Sequence, residues 1–234
     1  MVRDYSQFLG ETPVPQVALT PLERLGWQPH FAQQVDADGL TETPPARVTQ
    51  VHRNRLHVVG DGIDTLIPSG LDATVGDWVL LDADHAQGTE VLDRKSLFER
   101  RAAGHDRRLQ SIAANVDTVF IVSSCNRDFN IARLERYVVL AMEAQVTPVI
   151  LLTKADLCDD PLEYARQAET ISDRVAVVVL NALSTDPTEK LAPWVKPKQT
   201  VAFLGSSGVG KSTLVNALFN QTKAETAAIR ENDA

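Results

Sequence analysis

The chain has 234 residues, 44% hydrophobic and 23% charged, with a net charge of −8. That length and apolar content suit one large core or two small ones and exclude a disordered tail, while the acidic balance excludes a protein that coats nucleic acid uniformly. Cys125 and Cys158 are too few for a disulfide framework or a four-ligand zinc site and point to a reducing, cytoplasmic setting; no apolar run approaches the ~20 residues of a membrane span, and the opening MVRDYSQFLGETP has no export-signal core.

Residues 1–45 read as an amino-terminal extension with one short helix in LERLGWQPHFAQQ, whose Leu22, Leu25, Trp27 and Phe31 form an apolar face. From Ala46 the period changes to alternation, broken at Asn54 and at Gly60-Asp61-Gly62, with further strands at Asp77 to Leu81 and Thr89 to Leu92. Short, turn-punctuated strands over 46–95 predict a small all-β barrel of the OB-fold kind. Residues 96–110 read as a basic connector. The third unit, 111–234, predicts strands at Val116 to Ser123, Pro148 to Thr153, Val175 to Leu180 and Val201 to Leu204. Helices are expected at Ile131 to Gln145, at Leu162 to Ile171 and from Lys211. Strands apolar on both faces, alternating with helices, imply a parallel α/β sheet covered on both sides.

Gly205-Ser206-Ser207-Gly208-Val209-Gly210-Lys211-Ser212 fits G-x-x-x-x-G-K-[ST] at every fixed position, after the strand VAFL and before LVNALF. Glycines let successive N–H groups turn toward a phosphate chain, and the following helix offers its positive end to the same anion. Lys211 is placed on the terminal phosphates, where it stabilises charge, and the Ser212 hydroxyl on Mg²⁺; Thr213 closes the loop. Base identity needs a second feature, and Thr153-Lys154-Ala155-Asp156 supplies it at the carboxyl end of PVILL. The Asp156 carboxylate can accept two bonds from the N1–H and 2-amino groups of guanine, a donor pair adenine lacks, while the stem of Lys154 covers the ring. Asn181-Ala182-Leu183 follows the next strand, placing the Ala182 N–H to contact the guanine oxygen.

The base reader precedes the phosphate loop, the reverse of the usual order, so the domain is circularly permuted; chain ends that lie close together make this tolerable. The strand-rich region, followed by ANVDTVFIVSS, FNIARLERYVVLA, TPVILLTKADL and FLGSSGVGKSTLVNAL, resembles the RsgA family of ribosome small subunit-dependent GTPases over about residues 45–220. The resemblance implies an OB-fold, a permuted P-loop GTPase domain and a zinc-binding carboxyl-terminal domain. It implies GTP or GDP with Mg²⁺, and the small ribosomal subunit and its rRNA as partners in late subunit maturation. A cytoplasmic monomer with no membrane contact is expected.

Three departures from the family pattern stand out. Thr153 replaces an asparagine and is expected to remove a side-chain contact that supports the phosphate loop; Asn181 replaces a serine. Switch threonines, a D-x-P-G segment and the Cys and His zinc ligands do not occur before Ala234. The 234 residues are therefore expected to be an amino-terminal piece of a longer GTPase, with an incomplete permuted domain that binds nucleotide and turns it over little; no motif present is assigned to orient water.

RNA contact is expected from Arg47, Arg53 and Arg55, which share an acid-free stretch, and from Arg94, Lys95, Arg100, Arg101, Arg107 and Arg108, where only Glu99 and Asp106 oppose them. Two other readings stay open: an RNA- or ribosome-binding module with an inert nucleotide site, and a P-loop ATPase in which Asp156 is structural.

Overall fold

The computed structural model describes residues 18–36, 39–82, 88–101 and 109–219. In place of a single amino-terminal helix there are two single turns, α1 (Pro21–Arg24) and α2 (Pro29–Ala32), because Gly26 at φ 94° and Pro29 interrupt the chain between them. Leu22, Leu25, Trp27 and Phe31 still converge, packing with Trp78 and Leu92 in one apolar cluster. A third turn, α3, spans Gly39–Glu42.

The first sheet is antiparallel. Its strands are β1 (Pro45–Val51), β2 (Arg55–Gly60), β3 (Ile63–Pro68), β4 (Trp78–Leu80) and β5 (Glu90–Val91), in the order β3-β2-β1-β4-β5. Alternation sends Ala46, Val48, Leu56, Val58 and Val79 inward to one core. The expected closed barrel is not seen among the described residues: β3 and β5 end the sheet on opposite sides, and the two residues of β5 pair only with β4.

The stretch read as a connector starts and ends as a hairpin, β6 (Leu97–Arg101) against β7 (Leu109–Ala114). Burial of Phe98 and Ala114 explains the pairing, which the run of charges conceals in the sequence.

The second large sheet is parallel, with β8 (Thr118–Ser124), β9 (Thr147–Thr153), β10 (Ala176–Val179) and β11 (Val201–Leu204) in the order β10-β9-β8-β11. One face, through Val119, Ile121, Ile150 and Leu152, packs on Leu134, Val138 and Ala141 of α4 (Ile131–Glu143) and on Ala165 and Ala168 of α5 (Pro161–Glu169). The other, through Phe120, Val122, Val149 and Leu151, packs on Leu191 of α6 (Asp186–Leu191) and Leu214 of α7 (Lys211–Phe219). Asn130 and Asp160 cap α4 and α5 by accepting from N–H groups three residues on. Among the described residues no helix is long and apolar enough to cross a membrane.

Asp117, just before β8, ties the parts together: it accepts from the Thr200 N–H at 2.8 Å, from Gln28 Nε2 of the amino-terminal segment and from Lys95 Nζ.

Candidate nucleotide-binding site

All three sequence motifs lie at the carboxyl edge of the parallel sheet, where doubly wound folds bind ligands. The phosphate loop leaves β11 through Gly205, whose φ of 147° suits glycine and where a Cβ would stand 2.3 Å from the Val122 carbonyl. Among the described residues, none of the N–H groups from Ser206 to Thr213 is bonded within the protein; the next, Leu214 N–H, donates to Gly210 O at 2.9 Å. A run of free N–H groups leading into a helix is an anion cradle. Val209 is buried against the sheet and anchors the loop from below. The Ser212 hydroxyl likewise has no protein partner among the described residues.

Lys211 folds back over the loop, its Nζ donating to Gly205 O at 2.8 Å and Ser206 O at 2.5 Å. The side chain is thus engaged rather than solvent-facing, because the bent loop turns these carbonyls toward it. Burial lowers its pKa, and the Asp128 carboxylate opposes that shift.

Thr153 is fully buried at the end of β9, and its Oγ1 lies 2.6 Å from Val209 O and 3.2 Å from Ser123 O. This corrects the expected loss of a contact: the threonine hydroxyl itself donates to the phosphate loop. Thr153→Val keeps the shape but leaves the Val209 carbonyl without its donor. It is expected to cost about 1–3 kcal/mol in urea unfolding and to weaken GDP binding, measured on the same protein.

Lys154 takes the left-handed conformation at φ 57°, which turns the chain into a 3₁₀ turn, Ala155–Leu157, and presents Asp156 to solvent. Across the edge, Asn181 Oδ1 accepts from the Leu183 N–H at 2.9 Å and Asn181 O accepts from Ser184, so asparagine serves in the serine position by building the turn. Ala182 is buried, yet its N–H has no acceptor among the described residues. One pocket of about 150 Å³ is lined by Thr153, Lys154 and Asp156, by Asn181, Ala182 and Leu183, and by Gly210 and Thr213. It also includes Leu157, which the sequence reading did not single out; its place directly after the aspartate was the available signal.

The basic residues separate into two groups. Arg47 is buried, with its Nε 3.2 Å from Gly76 O, Nη1 on Leu25 O and its guanidinium over the Trp78 ring. Burial pulls its pKa down to about 10 against the pull of Asp117 and Asp77. Arg94 pairs at 2.9 Å with the fully buried Asp77, and Lys95 Nζ joins Gln28 and Asp117. These three are internal ties rather than free cations for RNA, a correction that follows from the close packing of the amino-terminal segment on the first sheet. Arg53, Arg55 and Arg100 are exposed, with Arg100 Nε 3.2 Å from Gln110 Oε1. Arg101 is placed in β6 without a described side chain, and Arg107 and Arg108 lie outside the described residues. Arg94→Ala leaves the buried Asp77 carboxylate without its cation, held by the Thr74 N–H at 2.8 Å; a loss of about 3 kcal/mol is expected in urea unfolding, with no RNA present.

A parallel sheet with the G-x-x-x-x-G-K-[ST] loop after one strand and the Thr153 to Asp156 turn after the next but one, the turn lying earlier in the chain, has the architecture and motif order of a circularly permuted P-loop domain. Residues 91–234 match the model of the RsgA GTPase family, and the chain belongs to that family. It is 48% identical over 217 residues to the small ribosomal subunit biogenesis GTPase RsgA 2 of Vibrio parahaemolyticus, covering 92% of this chain and 60% of that protein. It is also 48% identical over 221 residues to RsgA of Mesorhizobium japonicum, covering 91% and 63%. The chain thus spans about three-fifths of the length of these curated relatives. Among solved structures, YjeQ from Thermotoga maritima superposes with a TM-score of 0.57 at 26% identity, over 74% of this chain and 64% of that one.

Proposed function

We propose that the protein binds GTP and GDP and, as part of a GTPase, acts in biogenesis of the small ribosomal subunit in the cytoplasm, as a monomer. The observation that carries this reading is the single pocket on which the Thr153 to Asp156 turn, the Asn181 to Leu183 turn and the phosphate loop converge. Asp156 reads the N1–H and 2-amino donors of guanine, the Ala182 N–H meets its oxygen, and Lys154 covers the ring. The N–H groups of Ser206 to Thr213 hold the phosphates, and Lys211 moves from the loop carbonyls to the terminal ones. Family membership and the names of the relatives support the reaction and the ribosomal partner.

Mg²⁺ fits this site as an ion carried by the nucleotide: Ser212 offers a hydroxyl with no protein partner, and no group of three or more acidic, His or Cys residues suited to a metal occurs among the described residues. When bound, it would offset charge on the phosphates as water attacks in line.

The antiparallel sheet, with β1 at its centre, is assigned as the OB-type unit. Exposed Arg53 in the β1–β2 turn, Arg55 at the start of β2 and Arg100 on the hairpin are assigned to the rRNA backbone. Residues 111–234 are assigned as the guanine-nucleotide unit and residues 1–45 as an extension, of which Leu22, Leu25, Trp27 and Phe31 pack with Trp78 of the sheet. Titration with labelled GDP, GTP and ATP tests the pocket, and turnover with and without small subunits tests the partner. Equal affinity for ATP would remove the guanine reading; a rate indifferent to subunits would remove the ribosomal one.

A further inference from the structure

Three of the most exposed large apolar side chains belong to the rim of the base pocket and the helix beside it. Leu183 is 82% exposed, Leu157 78% and Leu162, in the first turn of α5, 60%. Leu157 and Leu183 line the pocket while most of each side chain faces solvent. The surrounding charge is acidic: Asp156, Asp159, Asp160 and Glu163 are exposed, against Lys154 and Arg166 in the same segment. Arg166 is already taken, at 3.3 Å from Asp160 and 2.9 Å from Glu163, and Asp159 has no partner among the described residues.

We propose that this leucine patch with its acidic rim is a docking surface for a basic polypeptide segment with apolar side chains, presented by a protein of the small ribosomal subunit. The partner's identity rests on the functional reading above. Charge selects the class of partner. A phosphate backbone would be repelled by Asp159 and its neighbours, and the segment's one arginine, Arg166, is held by Asp160 and Glu163. A second copy of this chain, at net charge −8, would bring like charge to like charge. Apolar side chains clustered within a polar rim are the ordinary form of a protein contact. Because Leu157 and Leu183 belong both to the base pocket and to the patch, nucleotide occupancy and docking are linked, each altering the affinity of the other by the same factor.

The test uses Leu162→Ser with Asp159→Lys, neither of which lines the base pocket. Binding of wild type and variant is measured to purified small subunits and to protein-free small-subunit rRNA at one salt concentration. The variant is expected to lose about tenfold in subunit affinity. Its affinity for naked rRNA should be unchanged or raised, since a lysine replaces an acid. GDP affinity within about twofold of wild type shows that the nucleotide unit is intact. Undiminished subunit binding overturns the proposal, as does a parallel loss on naked rRNA, which would make the patch an RNA contact. A wild-type dimer in sedimentation that the variant abolishes would assign the patch to self-association and overturn it too. Wild-type protein that binds no subunit at all sinks the functional reading and this one together, whereas normal wild-type binding unaffected by the variant sinks this one alone.

Discussion

Asp156→Ala is expected to abolish most of the preference for GDP over ADP while leaving the fold intact. Asp156 is exposed on a 3₁₀ turn, so its removal uncovers no core and leaves no buried charge without a partner. In the proposed function its role is confined to the ligand, where one carboxylate would accept from two guanine donors. Hydrogen bonds to a charged acceptor contribute about 1.5–3 kcal/mol each, so losing two costs guanine affinity about a hundredfold or more. Adenine nucleotides, which never made these bonds, should bind about as before. Asp156→Asn sharpens the test. It offers one acceptor and one donor, which matches the N1–H and 2-oxo groups of xanthine and mismatches guanine, so selectivity should move toward xanthosine nucleotides. Competition among GDP, XDP and ADP against a labelled nucleotide measures both variants. Unaltered GDP over ADP selectivity in Asp156→Ala would remove the residue from base reading.

The convergence of the candidate site was legible in the sequence because its motifs are local. The G-x-x-x-x-G-K-[ST] loop is one contiguous segment, and the Thr153 to Asp156 and Asn181 to Leu183 turns each follow a strand that the apolar runs PVILL and VAVVVL mark clearly. The parallel strands were legible for the same reason: buried on both faces, they show no polar alternation to confuse them with loops. Less was legible where pairing is long-range. The β6–β7 hairpin carries LFERR on one arm, and only the burial of Phe98 reveals it as a strand rather than a charged linker. α6 passed unnoticed because six residues starting Asp-Pro-Thr give too short a period to detect.

Side-chain commitments were the least legible of all. Arg47 sits in an acid-free stretch and looks like a surface cation, yet its partners are carbonyls of Leu25 and Gly76, 22 and 29 residues away, brought together only by the packing of the amino-terminal segment. Thr153 erred in the other direction. Compared with asparagine it appeared to lack reach, but the close approach of the phosphate loop to the end of β9 lets a short hydroxyl span 2.6 Å to Val209 O.

Lys211→Ala should weaken nucleotide binding strongly and change the stability of the free protein little. In the free protein the ammonium bonds two loop carbonyls, Gly205 O and Ser206 O, and both residues are only half-buried, so water can replace it there. No apolar core contact is lost on truncation, since Leu214 and Val209 hold the loop and helix to the sheet. With nucleotide present the balance differs. In the proposed function the lysine is then the charge that meets the terminal phosphates, and a charge-assisted bond of about 1.5–3 kcal/mol corresponds to a loss of about tenfold to a hundredfold in GDP affinity. GTP should lose more than GDP, because the γ-phosphate adds negative charge where the ammonium reaches. Lys211→Arg is expected to rescue poorly, as a planar guanidinium does not fit a cradle built around a compact ammonium. Calorimetric titration with GDP and GTP, paired with thermal unfolding in the absence of ligand, separates the two roles. A fall of many degrees in the unliganded melting temperature, with GDP affinity intact, would make Lys211 a structural tie of the loop instead of its phosphate ligand.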